Sequence, residues 1–379
     1  MISNFINKIL IINYKNIEDK EFIFDNKINC LVGNNGVGKT NILDSIFHLC
    51  IGKSYFNLRN DQIINKKNDF MLIEGDFVCN DKNEKIVCSI KRGGKKVLKR
   101  NNKAYKKLSD HLGLIPVVLI SPYDTDLIND GSLERRKFID SIISQNNKTY
   151  LNQLIDYNKI IQNRNKLFKN SNYNTKSNLE MIDVYDEELI KLSRPIHEIR
   201  KSFIDEFEPY FVEKYKKISS EKEYVSISYK SDLHEKSMKE LLKDSLKKDF
   251  ILQYTSSGIH KDDLIFNIDS YSIKKFGSQG QQKSFIIALK LAQFEYLKEK
   301  TGSSPILLMD DIFDKLDFNR VKNIVNIVND SSFGQLFISD TDRDRVEKIL
   351  NTLNLSSKIF KLWKEHSKRI KWKLWLIIF

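Results

Sequence analysis

The chain has 379 residues, 41% of them hydrophobic, enough for one large or two linked cored domains. Its 63 Lys and Arg outweigh 50 Asp and Glu, a formal charge of +13 that disfavours basic partners and favours an anionic one such as nucleic acid. Lys, Asn and Ile abound throughout, however, so the charge decides little by itself. Cys30, Cys50, Cys79 and Cys88 form no CxxC pair, which argues against a zinc site and for a reduced, intracellular chain. The first residues alternate apolar and polar, unlike a signal peptide, and no apolar run approaches the roughly 20 residues of a spanning helix. The expected location is the cytoplasm, with no membrane partner.

In chain order, residues 5–32 read as two or three strands, the last being the apolar run Ile28-Asn29-Cys30-Leu31-Val32. After a glycine-rich loop, Ile42, Leu43, Ile46, Phe47 and Leu49 fall at helical spacing. Strands are expected at 70–79, 85–92 and 96–100, with a Gly93-Gly94 turn, and at Pro116 to Ser121. Residues 132–220 follow a helical pattern broken by a polar loop near 169–178. A strand at Tyr224 to Tyr229 and an amphipathic helix at 233–249 come next. Strand, loop, helix and strand then follow at 264–268, 284–300, 305–309 and 335–339. There is no internal repeat, and no sustained heptads suggest a long coiled coil.

The loop Gly33-Asn34-Asn35-Gly36-Val37-Gly38-Lys39-Thr40 fits GxxxxGK[ST] at every fixed position, with a strand before it and a helix after it. Its glycines let backbone N–H groups wrap phosphates, and the following helix aims its N-terminus at the same charge. Lys39 is expected on the β- and γ-phosphates of ATP and Thr40 on Mg2+.

Ile306-Leu307-Leu308-Met309-Asp310-Asp311 reads as a buried strand ending in two carboxylates, which are costly there unless they meet a cation. Asp310 is the expected magnesium aspartate, and Asp311 stands where a water-polarising glutamate is usual in ABC ATPases; a helix-capping Asp is the bland alternative. The string Phe276-Gly277-Ser278-Gln279-Gly280-Gln281-Gln282-Lys283 opens a helix and resembles the ABC signature, whose Ser and Gly bind a γ-phosphate held by a second subunit. Ser278, Gly280 and Gln281 are therefore candidate nucleotide ligands, against the alternative of a flexible Gln/Gly loop. Asp317, in Asp314-Lys315-Leu316-Asp317, fits the loop that crosses such a dimer seam, or a solvated carboxylate. Ser339, Asp340 and Thr341 occupy the place of the usual switch histidine, which argues against fast hydrolysis.

The separation of phosphate loop and signature, intermediate between that of transporter ATPases and that of SMC-type proteins, resembles the RecF family of the SMC-like ABC ATPases. Four strings carry the resemblance over about residues 6–345. They are Thr40 to Ile46 with Gly52-Lys53-Ser54, Ser121-Pro122 through Asp130 to Asp140, Gly258-Ile259-His260-Lys261-Asp262-Asp263-Leu264, and Gly280 to Lys283 with Ala288 to Ala292. Ile259, Lys261 and Lys15 depart from the family's Pro, Arg and Arg, and Lys lacks the planar fork of Arg. The tail Lys361 to Phe379, alternating basic and Trp residues, matches nothing in the family.

The resemblance implies an α/β fold: an ABC-type ATPase head, the P-loop NTPase lobe, built from 1–120 and 251–350, with a mainly helical lobe inserted at 121–250 and a basic, aromatic tail at 351–379. It implies an ATP-dependent homodimer that binds duplex, gapped or junction DNA in replication and gap repair, and helps load RecA with RecO and RecR. Weak, DNA-dependent ATP hydrolysis then acts as the release switch, with Lys39, Asp310 and Asp311 as the catalytic set. Arg135 and Arg136 are candidates for the dimer seam or DNA, or ordinary charges on a helix flank. His260 is a candidate site residue or a satisfied loop histidine. Lys53, Arg59, Lys95, Lys96, Lys99 and Arg100 are candidates for a DNA backbone, or a solvated face. The competing readings are a transporter ATPase subunit, a nucleotide-clamped DNA binder without significant turnover, and a nuclease fused to an ABC head. The last lacks any acidic nuclease module after residue 345.

Overall fold

The computed structural model describes residues 2–56, 58–169, 176–220, 223–313, 316–330, 333–353, 357–364 and 370–377. The chain forms two compact units, the first from Met1–Asp124, Glu213–Lys222 and Gln279–Phe379, the second from Thr125–Val212 and Glu223–Ser278.

In the first unit, an antiparallel sheet takes the strands Ile17–Ile23, Phe5–Tyr14, Phe70–Cys79, Lys82–Lys91, Val97–Arg100 and Lys103–Ala104 in that spatial order. Alternation puts one side of each strand into the core: Ile6, Ile9 and Ile11 on one, Met71, Ile73 and Phe77 on the next, Ile86, Cys88 and Ile90 on the third. The other sheet is parallel over Ser357–Lys364, Ile28–Val32, Leu336–Asp340, Ile306–Asp310 and Val117–Ile120, with Ile370–Ile377 added antiparallel at its edge. Four of these parallel strands, Ile28–Val32, Leu336–Asp340, Ile306–Asp310 and Val117–Ile120, are short, buried throughout and largely apolar because both faces are covered. The helix Lys39–Ile51 packs with residues of both sheets in one core, through Ile42, Leu43, Ile46, Leu49 and Cys50. At Gly75 the strand and helix come close, for a Cβ there would lie 2.8 Å from Leu49 Cδ1.

The second unit is mainly helical, with helices at Ser132–Asn146, Lys148–Lys169 and Met238–Leu252. The helix Lys176–Ser219 also belongs to it, except for its last turns from Glu213. Ile182, Leu189, Ile196 and Phe203 are buried along one face of that helix at seven-residue spacing, a rhythm that sequence inspection passed over. Of the loop expected near 169–178, residues 170–175 lie outside the described residues. A small antiparallel sheet joins Val225–Lys230 to Asp263–Ile268 and Tyr271–Ser272.

Two divisions differ from those drawn on sequence. Residues 251–278 belong with the second unit, not with the ATPase lobe, because Asp263–Ile268 pairs along its length with Val225–Lys230. Nor do the described residues 357–364 and 370–377 stand apart as a tail. Ser357–Lys364 lies parallel to Ile28–Val32 and buries Ile359, Phe360 and Leu362. Ile359 and Phe360 are adjacent and so bury on opposite faces of the strand, while Lys361 is exposed. Among the described residues, no helix is long and apolar enough to cross a membrane.

Candidate nucleotide-binding site

The five residues of Ile28–Val32 are all buried, and this interior strand delivers Gly33 at the carboxyl end of the parallel sheet. Gly33 N donates to Asp340 O (3.3 Å), and a Cβ at Gly33 would collide with the carbonyl of Leu362. Gly36 (φ 78°) and Gly38 (φ 106°) occupy the left-handed region that Cβ-bearing residues resist, so the turn needs glycine at both. Gly38 caps the helix Lys39–Ile51, whose first turn has neither a side-chain cap nor an acidic residue. Its N–H groups and the positive end of its dipole are left for an external anion. Asn34 and Asn35 are the exposed tip of the loop's first turn, and Val37 packs into the core.

Lys39 is buried and folds back on its own loop, donating through Nζ to Gly33 O (2.6 Å) and Asn34 O (3.2 Å). Burial lowers its pKa, while Asp311, Asp310 and Asp340 oppose that shift. Thr40 Oγ1 donates to both oxygens of Asp310 (2.8 and 3.1 Å) across 270 residues of chain. Ser339 Oγ donates to Asp310 Oδ1 (2.6 Å). Burial raises the Asp310 carboxyl, against the hydrogen bonds of Ser339 and Thr40. Asp311 is left-handed (φ 48°), its N–H shared between Ser339 O and Oγ at 3.1 Å each. Asp340 is buried, accepts from Asp342 N (2.8 Å) and faces Arg345 at 3.7 Å. Burial raises its carboxyl too. Sequence reading missed the contribution of Ser339 and Asp340. Both end a strand that lies between Ile28–Val32 and Ile306–Asp310, a neighbourhood only the sheet order reveals.

The structure thus brings Gly33–Thr40, Asp310 and Asp311 together. The remaining candidates gather at another element. Gly280 and Gln281 sit in the first turn of the helix Gln279–Thr301, and Ser278 is exposed just before it. Asp317 precedes the helix Phe318–Asp330 and accepts from Arg320 N (3.0 Å), while its carboxylate pairs with Arg320 Nε (3.2 Å). Arg320 Nη1 also donates to Ser284 Oγ (2.7 Å), so one arginine ties the Asp317 turn to the signature helix. Asp314 and Lys315 lie outside the described residues.

Several basic candidates are engaged internally. Arg135 forms a two-pronged pair with Asp263 (2.7 and 3.1 Å) and donates to Leu127 O and Asp130 O. Arg136 donates to Asp262 O (2.6 Å). His260 lies between Tyr157 OH (2.8 Å) and Thr255 O (2.9 Å), and burial lowers its pKa to about 4, the pattern of a satisfied loop histidine. Lys96 donates to Gly52 O (2.6 Å) at the end of the phosphate-loop helix, and Arg100 grips Glu84 with two hydrogen bonds (2.5 and 2.8 Å). Arg59, Lys95 and Lys99 are exposed.

His48, on the inner face of the phosphate-loop helix, lies 3.3 Å from Tyr14 OH and 3.6 Å from Cys88 Sγ. Burial, then Lys96, drives its pKa from 6.5 down to about 3. Below the ordinary value the unfolded chain takes up a proton that the folded chain refuses, so this stability is present above pH 6.5 and is lost as the pH falls. Urea unfolding at about pH 7 and about pH 5 is expected to show His48→Gln shrinking the acid loss of stability by about 2 kcal/mol. An unchanged loss would mean that His48 charges freely in the folded chain.

Comparison with known proteins agrees with this geometry. The model of the RecF/RecN/SMC N-terminal domain matches residues 5–361. The DNA replication and repair protein RecF of Flavobacterium johnsoniae is 54% identical over 357 residues, which are 94% of this chain and 99% of that protein. That of Parabacteroides distasonis is 44% identical over 94% of this chain and 96% of its own. A solved structure described as the recombination mediator protein RecF-ATP in the RecFOR pathway superposes with a TM-score of 0.87 at 27% identity, covering 98% of each chain. The Smc head domain of Pyrococcus furiosus shares the fold, with a TM-score of 0.58 at 18% identity. An α/β ATPase head with a phosphate loop on a parallel sheet, a helical unit, and this similarity along nearly the whole chain place the protein in the RecF family of DNA replication and repair proteins.

Proposed function

We propose that this chain binds ATP at Gly33–Thr40 and, so loaded, closes head to tail with a second copy on DNA during replication and gap repair. The observation that carries the reading is the contact of Thr40 Oγ1 with both Asp310 oxygens directly behind the phosphate loop. Thr40 and Asp310 are the residues that would hold Mg2+. Theirs is a hard-oxygen pair, of the kind magnesium takes together with water and phosphate oxygens. Among the described residues there is no cluster of three His, Cys, Asp or Glu for a metal held by protein alone. The ion, when bound, neutralises charge on the β- and γ-phosphates.

Lys39 turns from the carbonyls of Gly33 and Asn34 to the phosphates, and the free helix N-terminus receives the same charge. Asp311, held by Ser339, orients the attacking water. Ser278, Gly280, Gln281 and Asp317 complete the site of the partner copy. Slow hydrolysis opens the dimer and releases DNA. RecO and RecR are the expected partners and RecA loading the outcome, a reading supported by the RecFOR pathway named for the solved neighbour. The expected location is the cytoplasm. Membership of the RecF family sets the transporter reading aside.

A titration of duplex and gapped DNA against salt, with and without ATP, tests the proposal. Affinity is expected to require ATP and to fall steeply with salt as phosphate contacts release counterions. A slope near zero, or binding indifferent to ATP, would count against it. Asp311→Asn is expected to keep ATP-dependent dimerisation in sedimentation while phosphate release drops about tenfold or more, as when a water-positioning group is lost. If that variant stays monomeric while the parent dimerises, Asp311 does more than trigger hydrolysis. The second reading, a clamp that does not turn over, is favoured by Ser339-Asp340-Thr341 in place of a histidine. Phosphate release that is zero with and without gapped DNA would select it.

A further inference from the structure

The turn after the strand Phe5–Tyr14 touches the phosphate loop from outside. Asn16 Nδ2 donates to Gly36 O (3.3 Å), and Asn16 Oδ1 accepts from Asn41 Nδ2 (2.7 Å). A Cβ at Gly38 would lie 3.2 Å from the same side chain. Its neighbour Lys15, left-handed at φ 53°, pairs at 2.7 Å with Asp44, a fully buried carboxylate on the phosphate-loop helix. Asp44 also accepts from Tyr14 OH (2.5 Å), Ser54 Oγ (2.8 Å) and the backbone N–H of Tyr55 (2.7 Å). The position of Tyr55 is thereby set by the helix that begins at Lys39.

Tyr55 passes this placement on. Its ring meets Phe47 edge-on with centroids 5.0 Å apart. Its hydroxyl donates to Asp124 and accepts from Lys290 Nζ (2.8 Å). Lys290 Nζ pairs with Asp124 Oδ1 at 2.9 Å, and their side chains are only 6% and 4% exposed. The second Asp124 oxygen accepts from Ser121 N (2.7 Å). Lys290 belongs to the helix Gln279–Thr301, which carries Gly280 and Gln281 in its first turn. Asp124 is the last residue of the first unit before the chain enters the second at Thr125.

A buried lysine–carboxylate pair is a poor way to gain stability, since desolvation consumes much of the attraction, and apolar residues of similar volume often serve as well. What the pair supplies is a fixed relation between the elements that bear its members. Here those are the phosphate-loop helix through Asp44 and Tyr55, the exit of the strand Val117–Ile120, and the signature helix. We propose that Tyr55, Asp124 and Lys290 are positioning residues that transmit loading of the phosphate loop to the helix presenting Gly280 and Gln281, and so tie dimerisation to ATP. This rests on the function proposed above.

The test separates nucleotide binding from its consequence. Tyr55→Phe deletes one hydroxyl and leaves the ion pair, and Lys290→Met removes the cation. A fluorescent ATP analogue titrated into dilute monomer reads binding, and sedimentation with ATP reads dimerisation. Each variant is expected to keep nucleotide affinity within about twofold of the parent while dimerisation weakens roughly tenfold, a usual size for coupling between sites. The double variant is expected to be no weaker than the weaker single one, since both break the same link, and Lys290→Arg to restore part of the loss. Variants that dimerise like the parent, lose nucleotide affinity by the same factor, or multiply their effects in the double overturn the inference. A parent that stays monomeric with ATP overturns the proposed function and this inference together.

Discussion

Lys39→Ala is expected to weaken ATP binding about a hundredfold or more in a fluorescent-nucleotide titration, with the fold intact by circular dichroism. The ammonium is held over the loop by Gly33 O and Asn34 O at 2.6 and 3.2 Å, within reach of the space the loop encloses. A charged hydrogen bond to phosphate contributes about 1.5–3 kcal/mol, and the lysine is placed to make two. Alanine also removes the cation that offsets Asp310, Asp311 and Asp340, all of which act on Lys39 electrostatically. Phosphate oxygens would then enter a site with three carboxylates and no ammonium to offset them. Lys39→Arg is expected to recover little, because Gly33, crowded by the Leu362 carbonyl, cannot retreat to fit a larger head. Affinity within about threefold of the parent for the alanine variant would mean that ATP binds elsewhere.

The largest effect on stability is expected at Arg200. Its side chain is 2% exposed, and the guanidinium serves several acceptors at once. Nη1 donates to Asp262 Oδ2 (2.9 Å) and Ile259 O (2.7 Å), Nε to Asp140 Oδ1 (3.1 Å) and Tyr150 OH (3.0 Å), and Nη2 to Asp140 Oδ2 (3.1 Å). Arg200→Met keeps volume and removes every guanidinium donor, leaving the buried Asp262 carboxylate with the hydroxyls of Tyr229 (2.5 Å) and Ser231 but without its cation. Stranding a buried carboxylate costs about 3–5 kcal/mol, a large part of the about 5–15 kcal/mol that holds a domain folded. Urea unfolding followed by circular dichroism reads it through the helices. Tryptophan emission would not, since Trp363, Trp372 and Trp375 all fall in the last two strands of the first unit. Adding Asp262→Asn is expected to return part of the loss. A single-variant cost below about 1 kcal/mol would contradict the account.

How much of this could be read from residue order follows from the range of each interaction. The phosphate loop was legible because its demands are local. Gly36 and Gly38 must turn left-handed, Lys39 and Thr40 must follow at fixed steps, and a buried strand must lead in. Asp310 was legible for a related reason, as a charge closing an apolar run has to be answered by something. The fold class followed from strands and helices whose periods show in sequence neighbours. Only the folded chain assigned partners to charges. Arg135, Arg136, Lys96 and Arg100 look in sequence like residues waiting for a phosphate, and each is engaged by a carbonyl or carboxylate of the same chain. Arg320, Ser339 and the Tyr55–Asp124–Lys290 cluster left no local signal, because their partners are 28 to 235 residues away and residue type does not record which ions will meet. The last strands were misjudged for the converse reason. Their apolar residues were plain, but a place beside Ile28–Val32 depends on which sheet edge is open, and that is set by the order of strands far apart in the chain.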